Sequence, residues 1–303
     1  MRRPRFAIIG AQKCASTLLQ ENLSSQNSVH IPREEVSVFE DPDYSTFDEK
    51  KFTKKVCSED EKKISGFKRS DCLHRPEVPK RIRNHFPNIK LISVLRDPVD
   101  RAISAYFHQM KHGFIPVVDI DTGLKNIISG KWSERYPRSK NIINYGMYKE
   151  QIDRYLSLFS EKQVHLETFA ELVAETKKTI KRVTKFIGVE DFKLSRGLTN
   201  NNPKKGVYSK VRLNILRLRN KVSHKYYDGG KRFEVKSKYS LGGILGGAIT
   251  ILDRYLGRYV FDGGKPKLDK SIEDELINIY KEDSTKLSKK TDLNISHWKT
   301  VVN

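Results

Sequence analysis

The chain has 303 residues, 37% of them hydrophobic and 31% charged, with 58 Lys and Arg against 37 Asp and Glu for a formal net charge of +21. This suits a soluble globular protein of one large α/β domain or two small ones, able to bury a substantial core. Three cysteines, Cys14, Cys57 and Cys72, with no C-x-x-C spacing, argue against both a disulfide framework and a zinc site.

The first residues, "MRRPRFAIIG", enter a strand almost at once, leaving no room for a signal peptide. "RFAIIG" (5–10) is a short apolar run ending in glycine, and "TLLQENLSSQ" after it has helical apolar spacing. "KLISVLR" (90–96) reads as a buried strand, followed by a helix from "DPVDRAISAYFHQMKHG", with Asp97 as N-cap, Pro98 at the first helical position and Gly113 at the exit. "QVHLETF" (163–169) is a third strand, and "AELVAETKKTIKRVTKFIG" (170–188) an amphipathic helix stopped by glycine. Strands alternating with helices predict an α/β fold with a central, mostly parallel sheet flanked by helices. No internal repeat appears, and the longest apolar stretch, "LGGILGGAITIL" (241–252), falls short of the ~20 residues a bilayer span needs. A cytoplasmic protein is the expectation, peripheral at a membrane if anything.

Two segments carry chemistry. In "FAIIGAQKCAST" (6–17) a strand ends in glycine and turns into a helix, which presents backbone N–H groups and a positive helix end to an anion. A Walker A loop is G-x-x-x-x-G-K-[ST], with its lysine seventh. Counting from Gly10, the seventh residue is Ser16, the sixth is Ala15 instead of glycine, and the lysine is fourth, at Lys13. The loop therefore offers no evident Mg²⁺ ligand for triphosphate chemistry, though Ser16 and Thr17 add hydroxyls. In "LISVLRDPVDRAISAYFHQ", Arg96 stands at the C-terminal end of a strand and Ser104 two turns into the next helix. Ligands of open α/β sheets bind outside the carboxyl ends of the strands. An arginine fork and a hydroxyl there suit a second phosphate, so one sheet edge fits a nucleotide substituted at both 5′ and 3′ positions.

These segments resemble the 5′-phosphosulfate loop and the 3′-phosphate motif of sulfotransferases that use 3′-phosphoadenosine 5′-phosphosulfate (PAPS), in the style of the carbohydrate-modifying and bacterial branch. "ISGFKRSDCLHRPEVPKRIRNHFPNIKLISVLRDPVDRAISAYFH", "YGMYKEQIDRYLSLF", "QVHLETFAEL" and the ending "LINIYKEDSTKLSKKTDLNISHW" are similar to successive blocks of that family. The resemblance implies a P-loop-like three-layer fold, a single sulfotransferase domain over 1–303, and PAPS as co-substrate without a metal. It places Lys13 at the leaving oxygen and as a nucleotide contact, with Cys14, Ala15, Ser16 and Thr17 cradling the 5′-phosphate. Arg96 and Ser104 would hold the 3′-phosphate. "PREEVSVFED" matches a Glu-x-His-Phe-Phe pattern with Glu35 as general base and acceptor contact, although Ser37 replaces the histidine and Glu34 adjoins. Lys68 in "FKRSD" stands where the family has an acceptor-side lysine. Lys205 and Gly206, in "NPKKGVYSK", match a basic loop that closes over the nucleotide.

The remaining features have plainer readings. Arg101 reads as a helix-surface or sheet-capping residue, and His108 with His112 as a solvated helix face. Tyr145, Tyr148 and Tyr155 read as helix packing, Tyr148 also within reach of the nucleotide, and Trp298 as an anchor for the last helix. The region of about 203–260 departs most from the family. Within it, 203–238 holds twelve Lys or Arg against Asp228 and Glu234. Val211, Ile215, Leu218 and Val222 fall there on one helical face. This segment fits contact with an anionic glycan or, with "LGGILGGAITIL" following, an anionic membrane surface, or a solvated face covering the sheet. The predicted acceptor is a carbohydrate or glycolipid hydroxyl. A P-loop kinase lacks its Mg²⁺ ligand here, and a nucleic-acid-binding protein has charge but no recognised motif.

Overall fold

The computed structural model describes residues 2–189, 206–227, 232–261 and 264–301. In chain order its elements are β1 (Phe6–Gly10), α1 (Ser16–Ser24), β2 (Val29–His30), α2 (Glu49–Val56), β3 (Ile64–Lys68), α3 (Val78–His85), β4 (Lys90–Leu95), α4 (Pro98–Lys111), α5 (Ile120–Ile128), α6 (Asn141–Asn144), α7 (Tyr148–Leu156), β5 (Val164–Thr168), α8 (Phe169–Ala174), α9 (Thr176–Ile187), α10 (Lys210–Ser223), β6 (His224–Tyr227), β7 (Arg232–Val235), α11 (Leu241–Leu252), α12 (Arg258–Val260) and α13 (Lys270–Lys290). The chain divides into two compact units, one of Met1–Pro98, Met147–Lys204 and Lys281–Asn303, the other of Val99–Gly146 and Lys205–Tyr280.

The first unit is built on a five-stranded sheet of order β2-β3-β1-β4-β5, parallel at every pairing and flanked by helices. All five residues of β1 are buried, which is why "FAIIG" shows an unbroken apolar run instead of alternation. The register shifts between Ile8 and Gly10 against β4, just where the chain leaves the sheet. β1, β4 and β5 lie within a residue or two of their predicted bounds. β3, "ISGFK", is not legible as a strand, because a glycine interrupts it and charged residues surround it. The tertiary partner explains the glycine: Gly66 pairs with Phe6, and a Cβ there would come within 2.5 Å of the Phe6 ring. Phe39, Phe52, Phe67 and Phe86 pack as an aromatic cluster, with Phe39 and Phe67 stacked at 5.6 Å. The helix expected over 170–188 is two. Thr168 caps α8, its Oγ1 accepting the Glu171 N–H at 3.1 Å, and the backbone leaves helical geometry at Glu175 before α9 starts. Gly188 ends α9 at φ 94°, as predicted. Trp298 is buried 5.9 Å from the Tyr148 ring, and the Asp97 carboxylate accepts the Lys299 N–H at 2.7 Å. These contacts dock the C-terminal segment.

The second unit holds α4, α5, α6, α10, the antiparallel hairpin β6–β7, α11, α12 and the first half of α13. Gly113 takes φ 76° two residues after α4. Two expectations change here. Arg101 is wholly buried, not on the helix surface, and donates to the Ile142 carbonyl. His108 and His112 are half-buried instead of solvated, with ring centroids 4.5 Å apart and His112 stacked on Phe233 at 5.2 Å. α10 is also turned from its predicted orientation. Leu213, Leu216, Asn220 and Ser223 face inward with Arg212, whose guanidinium pairs with Asp253 at 2.9 Å, while Val211 and Leu218 are exposed. Buried ionic pairing and packing, not the apolar count alone, decide which face a helix hides.

Replacing Gly66 with alanine should destabilise the first unit by about 1–3 kcal/mol through overpacking against Phe6. A lowered midpoint in chemical denaturation with an unchanged slope is the expected result.

Candidate active site

The turn from β1 into α1 is tightly wound. Lys13 and Ala15 both take left-handed backbone, with φ of 69° and 66°. Such a conformation costs a non-glycine residue on the order of 1 kcal/mol and persists only where surroundings over-determine it. The surroundings are present. The Ala11 N–H donates to the Val94 carbonyl at 2.8 Å, and Gln12 Nε2 donates to Asp71 Oδ1 at 2.9 Å. Cys14 is buried, its Sγ 3.6 Å from both the Gln12 carbonyl and the Tyr148 hydroxyl. α1 opens at Ala15 with no side-chain cap and no acidic residue in its first turn. Its positive end and first N–H groups are therefore left to an outside anion.

Arg96 follows β4 immediately, on the strand that neighbours β1. Its Nη1 lies 3.4 Å from the Lys13 carbonyl oxygen, and its guanidinium sits over the Phe169 ring, 4.5 Å from the centroid. The Arg96 Nε is buried without a hydrogen-bond partner, and no carboxylate pairs with this side chain among the described residues. Tyr148, wholly buried, donates its hydroxyl to the Arg96 carbonyl at 3.0 Å. Through Tyr148 the Cys14 turn and the Arg96 backbone share one rigid contact. The sequence predicts packing and a reach toward the nucleotide for this tyrosine; its tie to both loops depends on partners distant in the chain.

The other side of the turn is carboxylate-bearing. Glu35 lies 3.1 Å from Lys68 Nζ and 3.4 Å from Arg69 Nη1, and its Oε1 accepts the Ser70 hydroxyl at 3.0 Å. Glu34 beside it is exposed and joins none of these contacts. The Lys68 side chain is only 4% exposed and donates to Thr17 Oγ1 at 2.8 Å and Gln20 Oε1 at 3.2 Å. This placement ties Lys68 to Glu35 and α1 instead of opening it to an acceptor. Ser16 Oγ pairs with Ser70 Oγ at 2.8 Å. The Thr17 hydroxyl accepts from Lys68, so its own proton remains to be donated. Behind them Arg69 grips Glu40 and lies 3.6 Å from Asp71. Burial acts to lower the Arg69 pKa, but hydrogen bonding to Glu40 and the nearby carboxylates outweigh it and hold the guanidinium firmly charged. Ser37, where the family pattern has histidine, donates to Asp43.

Of the residues expected at the site, Lys13, Cys14, Ala15, Ser16, Thr17, Glu35, Lys68 and Arg96 all belong to the first unit and surround one turn. Ser104, half-buried on α4, and Gly206, just before α10, belong to the second unit, and Lys205 lies outside the described residues. Ser70, Gln20, Gln12 and Asp71 were not legible as site residues, since only the sheet order brings β3 beside β1. No group of three His, Cys, Asp or Glu is placed to hold a metal among the described residues. The arrangement offers a guanidinium and a helix end to anions, and beside them a carboxylate held by a buried lysine.

Comparison with known proteins places this geometry. The sulfotransferase domain model matches residues 3–230. Mouse bifunctional heparan sulfate N-deacetylase/N-sulfotransferase 4 is 28% identical over 220 residues, covering 69% of this chain and 25% of the mouse protein. Human bifunctional heparan sulfate N-deacetylase/N-sulfotransferase 3 is 27% identical over 206 residues, covering 62% of this chain and 22% of that protein. The chain thus spans about a quarter of the length of these curated relatives. The crystal structure of a sulfotransferase from Alicyclobacillus acidocaldarius covers 99% of this chain and 100% of its own at a TM-score of 0.65 and 18% identity, so the fold is shared.

Replacing Tyr148 with phenylalanine leaves the half-buried Arg96 carbonyl without this donor, which typically costs about 1–3 kcal/mol. A drop in thermal midpoint is expected; an unchanged midpoint means that this hydroxyl does not brace the two loops.

Proposed function

This chain belongs to the sulfotransferase family, and from that premise we propose that it transfers the sulfuryl group of PAPS to a carbohydrate acceptor. The observation that carries the reading is the adjacency of Arg96 and the Lys13 turn, with the Arg96 Nε unpaired and the α1 end uncapped. One nucleotide with anionic groups at both ends suits a guanidinium set beside that helix end. The absence of a lysine seventh in the loop weighs against a Mg²⁺-dependent phosphotransferase.

In this reading the N–H groups of Ala15, Ser16 and Thr17 and the Thr17 hydroxyl hold the 5′-phosphate, and Arg96 holds the 3′-phosphate, with Ser104, Lys205 and Gly206 proposed as further nucleotide contacts. Lys13 stabilises the charge that grows on the bridging oxygen as its bond to sulfur breaks. Glu35 takes the acceptor proton as the acceptor oxygen bonds to sulfur, leaving 3′,5′-ADP and a sulfate ester. In-line positioning and charge stabilisation then supply most of the rate, as in phosphoryl transfer. Lys68 acts as a positioning residue: its buried ammonium fixes the Glu35 carboxylate relative to Thr17.

The acceptor is a hydroxyl of a carbohydrate or glycolipid. A second reading is favoured by the relatives, which are named N-sulfotransferases: an amino sugar would present nitrogen to the same carboxylate.

Radiolabelled sulfate transfer from PAPS to a panel of glycans and glycolipids, including N-unsubstituted glucosamine chains, tests the reaction and separates the two acceptors. No transfer to any carbohydrate would overturn the reading. Lys13→Ala and Glu35→Ala should each lower turnover on the order of 10²–10³-fold with the fold intact by circular dichroism. Near-normal transfer by the Glu35 variant would move the base elsewhere. Arg96→Ala should weaken 3′,5′-ADP binding by about 10–100-fold by calorimetry without Mg²⁺, the loss of one charge-assisted contact. Lys68→Met should lower turnover by a larger factor than it weakens 3′,5′-ADP binding, a split that a general folding defect would not give.

A further inference from the structure

α11 is built inside out. Its inward face is glycine: a Cβ on Gly242 would stand 2.5 Å from the Val222 carbonyl, and one on Gly246 2.5 Å from the Ser223 Cβ. The helix therefore packs directly against the end of α10, and no other residue type fits at those points. The aliphatic side chains go the other way. Leu241, Ile244, Leu245, Ala248, Ile251 and Leu252 are all exposed, Leu241 by 75%. At 3.6 residues per turn these six share an arc of roughly 120°, with no polar residue inside it. A globular surface helix shows the reverse pattern, so this face is made for an apolar surrounding.

The residues that frame it say which. Tyr239, two residues before the helix, is 80% exposed and Tyr259 after it 79%, with Tyr255 and Phe261 also exposed. The segment that carries this rim is strongly basic: 206–261 contains twelve Lys or Arg against Asp228, Glu234 and Asp253, and Asp253 is already buried against Arg212. Lys221, Lys225, Lys238 and Arg254 are exposed. An aliphatic stripe edged by tyrosines and flanked by cations matches the layering of a bilayer surface, where acyl chains, the interfacial zone and anionic headgroups follow in that order. A second copy of the chain is disfavoured by the same charges, since pairing this face with itself would set two strongly cationic surfaces together. Nor does the helix cross a membrane: no helix is long and apolar enough to do so among the described residues.

We infer that α11 and its flanks form an interfacial membrane-docking surface that lies in the headgroup region of an anionic bilayer. This goes beyond the sulfotransferase reading and does not depend on it. It extends the expectation drawn from 203–238 with "LGGILGGAITIL" after it: the apolar contact belongs to 239–261, and Lys221, Lys225, Lys238 and Arg254 supply the electrostatic part.

The test is sedimentation of the full chain with vesicles of phosphatidylcholine and phosphatidylserine in equal parts, against phosphatidylcholine alone. Binding to the anionic vesicles is expected, with the Ile244→Gln, Leu245→Gln, Ile251→Gln triple variant losing at least ~10-fold in partitioning. Those side chains are exposed, and an unchanged thermal midpoint confirms the fold. A Lys221→Gln, Lys225→Gln, Lys238→Gln variant should lose the preference for anionic lipid. Three outcomes overturn the inference: no vesicle binding by the native chain, undiminished binding by the aliphatic triple variant, or self-association by light scattering that the triple variant abolishes while vesicle binding is absent.

Discussion

A lysine ammonium almost wholly withdrawn from water is tolerated only when acceptors close around it. Lys68 meets that condition with Thr17, Gln20 and Glu35, one from the first turn of α1, one from its second turn and one from the loop that follows β2. Because none of the three can drift without stranding the charge, the carboxylate of Glu35 and the anion-facing turn are held in one fixed relation. Arg69 repeats the device one residue later with Glu40 and Asp71, so the acidic loop is anchored at two points from the end of a single strand.

The opposite wall of the turn is neutral in its bracing and cationic in what it presents. Tyr148 contributes only a hydroxyl, shared between the Cys14 thiol and the Arg96 carbonyl. That leaves the Arg96 guanidinium unneutralised beside the Lys13 loop. The left-handed residues at Lys13 and Ala15 are sustained by these two walls together. A turn held this way keeps its donors aimed before a ligand arrives, which is the condition for electrostatic stabilisation without reorganisation during reaction.

The second unit is governed by a different economy of shape. Arg212 and Asp253 form a buried pair, and the paired charges set which face of α10 turns inward. Glycines of α11 then allow backbone-level packing against α10, which leaves the aliphatic side chains of that helix with nothing of their own unit to cover. Compactness inside and apolar exposure outside are two consequences of one choice of small residues.

The sequence by itself determined the β1 turn, the strand ending before Arg96, the glycine exits at Gly113 and Gly188, and the family-defining pair of motifs. Each depends on neighbours close in the chain: apolar runs, a terminal glycine, a cation at a strand end. Only the tertiary structure decided that β3 is a strand, that Lys68 is buried beneath Glu35, that Ser70 and Tyr148 brace the turn, and that α10 and α11 face as they do. Those outcomes rest on partners distant in sequence. Phe6 fills the space over Gly66, a carboxylate thirty-odd residues away meets Lys68, and Asp253 meets Arg212. Local periodicity carries no record of which distant side chain will complete a contact, so the pattern of residues named the chemistry while packing arranged it.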